Sequence, residues 1–372
     1  MTVWLELEPN DILFFRGPEP FNAGETGYVK SEFAPTPRTL QGALRAAFLK
    51  ANGVDMEGYV RGDATSPMVE ALGRADEEIK LDLRGPYLTT DGRLCVPAPL
   101  DLVERDGVLL LRAPGEDAVT TDIGKVRLFA PSHGATDVEG KWLPLEDLER
   151  LLAGSEVSAD DLFSPLGTSL HQEPKVGLAR DVGSRVAAEG MLYTILTLRA
   201  VENAGFAVSI EGLPPEAQRP ELLKWGGEGR FVWSRKMEAP TTGTHREEVA
   251  SQIDQTGRFR LVFLQPALFD GGWLPDGFER EETESGVVRW RGDLAGIRCE
   301  LVSAALGKPR RIGGWDMKNR RPHPLKPHVP AGSVYFFETG ATGGSMVEAL
   351  DGAKVGRHGN MGFGHVLVGG WR

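Results

Sequence analysis

The order of apolar patterns along the chain is the feature that most restricts its fold. Val3–Glu8 alternates apolar and polar side chains, which predicts a strand. Apolar residues three and four apart in Thr39–Lys50 predict a helix that follows Pro37. After a long stretch of short strands and loops, Met191–Val201 and Phe206–Glu211 predict a hairpin of two strands.

The following residues complete a recognisable order of elements. Pro215–Trp225 predicts a short helix that ends at two glycines, and Arg230–Ser234 predicts another strand. The order is therefore strand, helix, long insertion, strand, strand, helix and strand. This is the split βαβ order of a ferredoxin-like (RRM-like) fold.

The second half of the chain repeats this order with a degraded first crossover. The predicted elements are strands at Phe259–Gln265, Arg298–Ala305 and Ser333–Phe337, a helix around Ser345–Leu350 and a closing strand at His365–Gly369. We predict an α+β fold of two tandem ferredoxin-like domains. The predicted domains are residues 1–240, with an insertion at about 51–189, and residues 241–372, which end in a glycine-rich loop and a strand.

Composition and charge exclude several classes of protein. The chain has 42 Lys and Arg residues against 53 Asp and Glu residues, so its net charge is −11. This balance disfavours a non-specific polyanion binder, because such proteins carry an overall basic excess. Two cysteines exclude a disulfide framework and a four-cysteine zinc site, and no apolar run approaches the roughly 18 residues of a membrane span. We therefore predict a cytoplasmic protein.

One short segment opposes the acidic average. Residues 308–326 carry seven basic side chains and one acidic side chain, a local charge of +6. The basic residues are Lys308, Arg310, Arg311, Lys318, Arg320, Arg321 and Lys326. The segment is either a solvated loop or a polyanion contact, and the interleaved Gly, Pro and Trp315 favour the contact.

A glycine-rich loop, residues 356–364, precedes the last predicted strand. Because the loop opens a strand and not a helix, it is not a dinucleotide-binding loop. It is either a structural turn or a backbone cradle for phosphate, in which Phe363 between Gly362 and Gly364 stacks on a base or packs into the core.

No catalytic or metal-binding pattern stands out. The seven histidines are not spaced as metal ligands, and Asp160-Asp161 and Glu281-Glu282 are interpreted as solvated surface charge. His358 or His365 could act as a general base in RNA cleavage, but no neighbouring sequence element identifies a partner. We therefore predict no metal, no cofactor and no enzymatic activity.

Short segments spread over nearly all of the chain resemble those of a known protein family and occur in the same order. They are LEPNDILFFRG and PF at 7–21, PTPRTLQGALRAAF at 35–48, RGPYL at 84–88, PAPLDLV at 97–103, EPKVGLARD at 173–181, AEGMLYT at 188–194, GGEGR at 226–230, GGWD at 313–316, VPAGSVYFFE at 329–338 and GFGHVLVGGW at 362–371. In combination they resemble the Cmr-module subunit-three family. These are RAMP proteins of type III-B CRISPR effector complexes, grouped with the Cas-five-like subunits.

The resemblance implies a non-catalytic RNA-binding subunit in antiviral defence. Such a subunit holds the five-prime tag of the crRNA, docks the large Cas-ten-type polymerase subunit and lies next to a RAMP backbone subunit. It also implies two RAMP domains and a thumb-like hairpin that wedges into guide RNA. The residues predicted to contact RNA are Arg16, Arg38, Arg45, Lys175, Arg180, Arg185, Arg230, Arg310, Arg311, Lys318, Arg320, Arg321, Lys326, Gly362, Phe363 and Gly364.

One position departs from the family pattern, and two other functions remain open. Glu19 stands where the family usually has a basic residue before Pro-Phe, so a phosphate contact there is in doubt. One alternative function is a repeat-cleaving RAMP endoribonuclease with a histidine general base. The other is a free-standing soluble protein of unrelated role.

Overall fold

The computed structural model describes residues 2–18, 28–129, 134–180, 183–184, 186–284 and 286–372. Glu19 and Arg185 lie outside the described residues, and so does the side chain of Arg180. Within these ranges the fold is mixed α and β, with many strands and few helices.

The helices of the described residues are mostly short. They are α1 (Pro37–Ala51), α2 (Met56–Arg61), α3 (Pro67–Leu72), α4 (Leu145–Leu152), α5 (Pro165–Thr168), α6 (Arg246–Thr256) and α7 (Gly343–Leu350). Single 3-10 turns occur at Ala159–Asp161 and Gly359–Met361. No helix in this part of the chain is long and apolar enough to cross a membrane.

The strands of the described residues account for most of the remaining regular structure. They are β1 (Thr2–Pro9), β2 (Tyr28–Lys30), β3 (Asp82–Thr90), β4 (Arg93–Pro97), β5 (Leu102–Arg105), β6 (Val108–Leu111), β7 (Pro114–Thr121), β8 (Gly124–Phe129), β9 (Thr136–Asp137), β10 (Trp142–Pro144), β11 (Leu170–Arg180), β12 (Ala187–Ala200), β13 (Ala204–Glu211), β14 (Leu222–Lys224), β15 (Phe231–Met237), β16 (Arg258–Phe263), β17 (Glu279–Glu282), β18 (Val288–Leu294), β19 (Ile297–Ala305), β20 (Arg310–Ile312), β21 (Trp315–Asp316), β22 (Arg321–Pro322), β23 (Lys326–His328), β24 (Val334–Thr339) and β25 (Val366–Gly370).

The chain divides into two compact units. The first unit contains residues 1–92, 164–238 and 311–325, and the second contains residues 93–163, 239–310 and 326–372. The chain passes from the first unit to the second between Glu238 and Ala239. Residues 93–163 group with the second unit and residues 311–325 group with the first.

An antiparallel sheet with the order β3-β13-β1-β15-β14 forms the framework of the first unit. Leu5 and Leu7 of the central strand are buried opposite Val208 and Phe206 of β13. Helix α1 packs on this sheet through an apolar face that includes Leu44. The alternation in the first residues therefore correctly predicted both the strand and its buried face.

The sequence at the start of α1 explains where that helix begins. The side chain of Thr36 accepts a hydrogen bond from the backbone N–H of Thr39 at 3.2 Å, and Pro37 occupies the first helical position. Both residues suit these positions, because a threonine oxygen satisfies a free N–H and proline needs none. The helix begins two residues earlier than predicted, so Arg38 lies in its first turn and not one residue before it.

Two predicted elements of the first unit are wrong. Residues 215–225 form no helix; Pro220 has no N–H to donate, and the backbone of Gln218 is instead bonded to the Asn52 amide. Strands β12 and β13 follow one another but do not pair as a hairpin, because β12 pairs with β11 and β2 while β13 pairs with β1 and β3.

The β11–β12 pair forms a long antiparallel ribbon in the first unit. It runs from Leu170 opposite Ala200 to Arg180 opposite Ala187, with one irregularity between Leu178 and Arg180. The ribbon occupies the part of the insertion for which the resemblance implied a thumb-like hairpin.

A second antiparallel sheet, with the order β17-β18-β19-β24-β16-β25, forms the framework of the second unit. Helices α6 and α7 pack against each other and against β25, and Phe259 of β16 stacks on Phe337 of β24 with ring centroids 4.9 Å apart. Strand β17 is an edge of this sheet, and all four of its residues (Glu-Arg-Glu-Glu) are exposed.

Candidate RNA-binding surfaces

Residues 311–325, which we call the basic excursion, contain most of the predicted basic segment. Within it β21 and β22 form a small hairpin in which Trp315 lies opposite Pro322 and Asp316 opposite Arg321. The Asp316 carboxylate accepts hydrogen bonds from the backbone N–H and the side-chain amide of Asn319, at 3.0 and 2.8 Å. These bonds lower the pKa of Asp316, so the turn is fastened by an ionised carboxylate.

The basic excursion is held against other residues of the first unit at two points. A Cβ on Gly314 would lie 2.5 Å from Cδ of Arg38, so Arg38 occupies the space that this glycine leaves. Lys318 forms an ion pair with Asp76 at 2.5 Å. Burial lowers the pKa of Arg38, an effect that nearby Glu78 opposes. Arg38 therefore supports the excursion from the first turn of α1.

Three arginines of the excursion point their charges into solvent. Arg311, Arg320 and Arg321 are exposed, and no residue that the structure describes forms an ion pair with any of them. Among the described residues, their charges in the predicted basic segment have no ion-pair partner. In the second unit, Arg310 is half-buried and Lys326 is exposed.

Arg45 has an internal role in the structure. Its guanidinium donates hydrogen bonds to the backbone carbonyls of Leu72, Arg74 and Glu77, at 3.1, 3.3 and 2.9 Å. Burial lowers the pKa of Arg45, which remains charged because an arginine titrates so far above neutrality. These contacts oppose its predicted role as an RNA contact, because Arg45 fastens the segment after α3 to α1.

Two other predicted arginines of the first unit differ from each other. Arg230 donates to the Asp11 carboxylate at 3.0 Å, and Arg199 pairs with the same carboxylate at 3.0 Å. Arg230 is therefore already paired. Arg16 is exposed on a backbone segment that bridges to Ser31, which leaves its charge at the surface.

The β11–β12 ribbon carries Lys175 in an exposed position, opposite Ile195. Two residues further along, Gly177 lies opposite Tyr193, and a Cβ on that glycine would lie 2.2 Å from the tyrosine ring. Glycine is thus required for the tyrosine to cross the ribbon. Val176, which lies between Lys175 and Gly177, is among the most exposed apolar residues described.

The glycine-rich loop of the second unit is more deeply buried than predicted. Phe363 has no exposed surface and packs against the rings of His328 and His358, with centroids 5.2 and 6.2 Å away. This packing corrects the base-stacking alternative for Phe363 and supports the core alternative. A base cannot reach a ring that is fully enclosed.

The backbone of this loop is also engaged internally. The N–H of Gly362 donates to Gly359 at 2.7 Å, and the N–H of Gly364 donates to Pro266 at 2.8 Å. A Cβ on Gly364 would lie 2.0 Å from the Val355 carbonyl oxygen, and its φ of +69° favours glycine. These two N–H groups are therefore not available to phosphate, and the glycines serve close packing.

The histidines considered for catalysis do not form an open acid–base site. His365 is 5% exposed, and His358 is half-buried at a φ of +63°. In the ranges that the structure describes, no group of three or more His, Cys, Asp or Glu side chains is arranged to hold a metal ion.

A charged surface that the sequence analysis missed lies where the β7–β8 pair contacts the six-stranded sheet of the second unit. It consists of four arginines and four glutamates and is called here the Arg–Glu network. Its members are Arg127, Arg258, Arg289, Arg291, Glu116, Glu281, Glu300 and Glu338. Glu281, interpreted from sequence as solvated charge, pairs with Arg291 at 2.8 Å.

The centre of this network is Glu338 of β24. Its carboxylate meets Arg127 at 3.1 Å, Arg258 at 3.4 Å and Arg289 at 3.0 Å. Burial alone would raise the pKa of Glu300, but hydrogen bonds from Arg289 and Arg291 outweigh burial and hold that pKa below its usual value. Alternation in each strand could have shown that these charges share a face, but not which strands are neighbours.

Two further charge clusters of the second unit are buried. Arg260 and Asp101 form an ion pair in which both side chains are almost fully enclosed. His245, 1% exposed, lies 3.0 Å from Asp351 and 3.7 Å from Glu149. Burial lowers the pKa of His245, but these carboxylates outweigh it and raise the pKa to about 9. In both clusters the charges of the second unit are paired internally.

Comparison with solved structures gives distant matches. A chain in a structure described as type III-B Cmr-beta bound to cognate target RNA and AMPPnP is 15% identical, with a TM-score of 0.49; the alignment covers 90% of this chain and 86% of the other. A chain of a Csm3–Csm4 subcomplex in the type III-A CRISPR-Cas interference complex is 12% identical, with a TM-score of 0.40 and coverage of 90% and 92%.

Comparison with protein families gives a match over almost the whole chain. Residues 5–371 match the family described as CRISPR-associated protein (Cas_Cmr3). The match extends through both units, including the ribbon, the basic excursion and the closing strand. It confirms the resemblance carried by the ordered short segments. The chain therefore belongs to the Cas_Cmr3 family of CRISPR-associated proteins.

Proposed function

We propose that this protein is a non-catalytic RNA-binding subunit of a type III-B effector complex. In this proposal it holds the five-prime tag of the crRNA, docks the large Cas-ten-type subunit and lies next to a RAMP backbone subunit. Family membership supports the setting. The observation that carries the RNA contact is the presence of three exposed, unpaired arginines, Arg311, Arg320 and Arg321, within the described part of a chain whose net charge is −11.

The strand orders support a pair of ferredoxin-like RAMP units. In the first unit four strands lie side by side in the order β15, β1, β13, β3, so the fourth in the chain is followed by the first, the third and the second. In the second unit β25, β16, β24 and β19 lie in the same relative order. All pairings within each set are antiparallel. This is the arrangement that a split βαβ fold produces. Each unit departs from this arrangement in one crossover. In the described residues, no helix lies between β13 and β15 of the first unit or between β16 and β19 of the second unit.

The RNA-facing residues proposed here are a subset of the predicted ones. The basic excursion supplies Arg311, Arg320 and Arg321, with Lys318 beside them and Arg38 beneath. Arg16, Lys175, Arg180, Arg185, Arg310 and Lys326 remain proposed phosphate contacts. Since single-stranded RNA is bound largely through its phosphates, a cluster of unpaired arginines is the chemistry that this role needs.

The decisive experiment compares two charge-reversal variants in a reconstituted complex. One variant combines Arg311→Glu, Arg320→Glu and Arg321→Glu. The matched control combines Arg61→Glu, Arg235→Glu and Arg298→Glu, which changes three exposed arginines that have acidic partners. Both variants change the net charge by the same amount, so their difference reports position and not total charge.

We expect the excursion variant to lose guide RNA during purification of the complex and the control to retain it. Shortening the five-prime tag should weaken RNA binding by the wild type and have little further effect on the excursion variant. Equal RNA retention by both variants would contradict the proposed contact. Cleavage of labelled repeat RNA by the purified protein without metal would contradict the non-catalytic role.

A further inference from the structure

The basic excursion carries an exposed aromatic side chain that the electrostatic argument does not explain. Trp315 is 59% exposed, which makes it the most exposed of the eight tryptophans in the chain. Trp225, Trp371 and Trp290, by contrast, are almost fully buried. Leaving an indole in water forgoes the burial of a large apolar surface, and exposed tryptophans are enriched at binding surfaces.

The backbone around Trp315 is held in place, so the indole is presented on a fixed hairpin. Trp315 pairs with Pro322 across the hairpin, and the N–H of His323 donates to the Gly314 carbonyl at 2.9 Å. The turn is fastened by the bonds from Asn319 to Asp316. A fixed platform binds at lower entropic cost than a mobile side chain.

The charges around Trp315 favour a nucleic acid over a protein as its partner. Arg320 lies in the turn of the same hairpin and Arg321 lies beside Pro322, and both are exposed and unpaired among the described residues. Interleaved aromatic and unpaired basic side chains are typical of single-stranded RNA sites, in which rings stack on bases and cations meet phosphates.

We infer that Trp315 stacks on one unpaired base of the RNA whose phosphates contact Arg320 and Arg321. This inference rests on the proposed function and adds to it a contact with a base. Stacking accepts any base, because every base has a π face. The contact therefore contributes affinity and sets the position of one nucleotide, without reading its identity.

The test combines variants of Trp315 with guide RNAs that lack single bases in the five-prime tag. Trp315→Leu removes the π surface and Trp315→Phe retains one; both should fold normally because the side chain is exposed, which the melting temperature checks. We expect Trp315→Leu to weaken binding of the guide RNA by roughly 5- to 150-fold and Trp315→Phe to weaken it much less. The slope of affinity against salt should not change, because no phosphate contact is lost.

The abasic RNAs identify the stacked base. For the wild type, one abasic position should weaken binding about as much as Trp315→Leu does, and the two changes combined should weaken it little further. If Trp315→Leu binds every RNA as the wild type does while the excursion triple variant still loses RNA, stacking is wrong and the proposed function stands. If Trp315→Leu keeps RNA affinity but loses a protein subunit of the complex, the indole is a protein contact and the inference is overturned. If the triple variant also keeps full RNA affinity, the proposed function fails as well.

Discussion

The Arg–Glu network of the second unit and the basic excursion of the first unit both contain several arginines, but they differ in what surrounds them. Four arginines of the network form ion pairs with four glutamates of the same unit. The excursion has Arg311, Arg320 and Arg321 exposed without a described ion-pair partner. The number of arginines in a segment is thus a poor guide to RNA binding. What matters is whether the fold supplies their counter-ions.

Burial explains why paired charges are the ones that stabilise the fold. Arg127 and Glu300 are 13% exposed in their side chains, so water screens their interactions poorly. In the excursion, exposed charges contribute little to stability and remain available to an external anion. This difference makes separate predictions for stability and for RNA affinity.

The largest expected effect comes from breaking the buried pair of the second unit. Asp101→Ala leaves the Arg260 guanidinium enclosed without its carboxylate, which should lower the free energy of unfolding by about 3–5 kcal/mol. Urea unfolding measures the change. The double variant Asp101→Ala with Arg260→Met should recover much of this loss, because no buried charge remains; failure to recover would show that packing and not charge dominates the site.

The next effect concerns pH and the buried histidine. The pKa of His245 is about 9 in the folded protein against 6.5 as the ordinary value, so its contribution to stability is complete below pH 6.5 and is lost as pH rises through about 9. The full loss corresponds to roughly 3 kcal/mol. The pKa values of Asp351 and Glu149 are lowered, because hydrogen bonds outweigh the effect of burial, so the contributions of these carboxylates are lost in acid instead.

Urea unfolding from pH 6 to pH 9.5 should therefore show a steeper decline for the wild type than for His245→Gln. The two proteins are compared by the slope of the free energy of unfolding against pH. Any destabilisation by the substitution that is the same at every pH does not affect this slope. Parallel curves would mean that folding does not raise the pKa of His245.

A smaller effect is expected on RNA affinity when single charges of the excursion are removed. Arg320→Ala and Arg321→Ala should each reduce the slope of log affinity against log salt by about 0.7, with little change in melting temperature. Arg291→Ala is the matched control from the Arg–Glu network. Its affinity for RNA should equal that of the wild type because Glu281 and Glu300 already neutralise this arginine. An equal slope change in all three variants would remove the distinction between the two regions.

The smallest effect on the free energy of unfolding is expected when an exposed ion pair of the Arg–Glu network is removed. Glu281→Gln removes one exposed partner of Arg291 and should lower the free energy of unfolding by about 0–1 kcal/mol. Arg291 keeps Glu300, so RNA affinity should not rise. A measurable gain in RNA binding would show that the loss of one glutamate partner is enough to convert a structural arginine into an RNA contact.

Local patterns predicted local structure well. The alternation of Val3–Glu8 and the apolar face of Thr39–Lys50 correspond to β1 and α1, and the strands at the end of the chain were also found. These elements are correct because burial of one face is encoded at short range. The helix predicted for Pro215–Trp225 is wrong, because Pro220 lies within it and the N–H that proline lacks opposes a helix.

The pairing of strands that are distant in the chain could not be predicted from the sequence. The neighbours of β12 and β13 depend on contacts with β11 and β1, which no short pattern specifies. The same limit applied to the functional residues. The basic segment was visible as a charge run, but the pairing of Arg230 with Asp11 and the enclosure of Phe363 depend on residues distant in sequence.

The edge strand β17 has a consequence for how this protein meets copies of itself. An open strand edge is a template for further strands, and in a crowded cell it invites chains to aggregate. Here each copy presents three glutamates and one arginine on that edge, so two copies would bring net charges of −2 against −2. Like charges oppose such pairing. The charge of β17 thereby discourages uncontrolled polymerisation of copies through this edge.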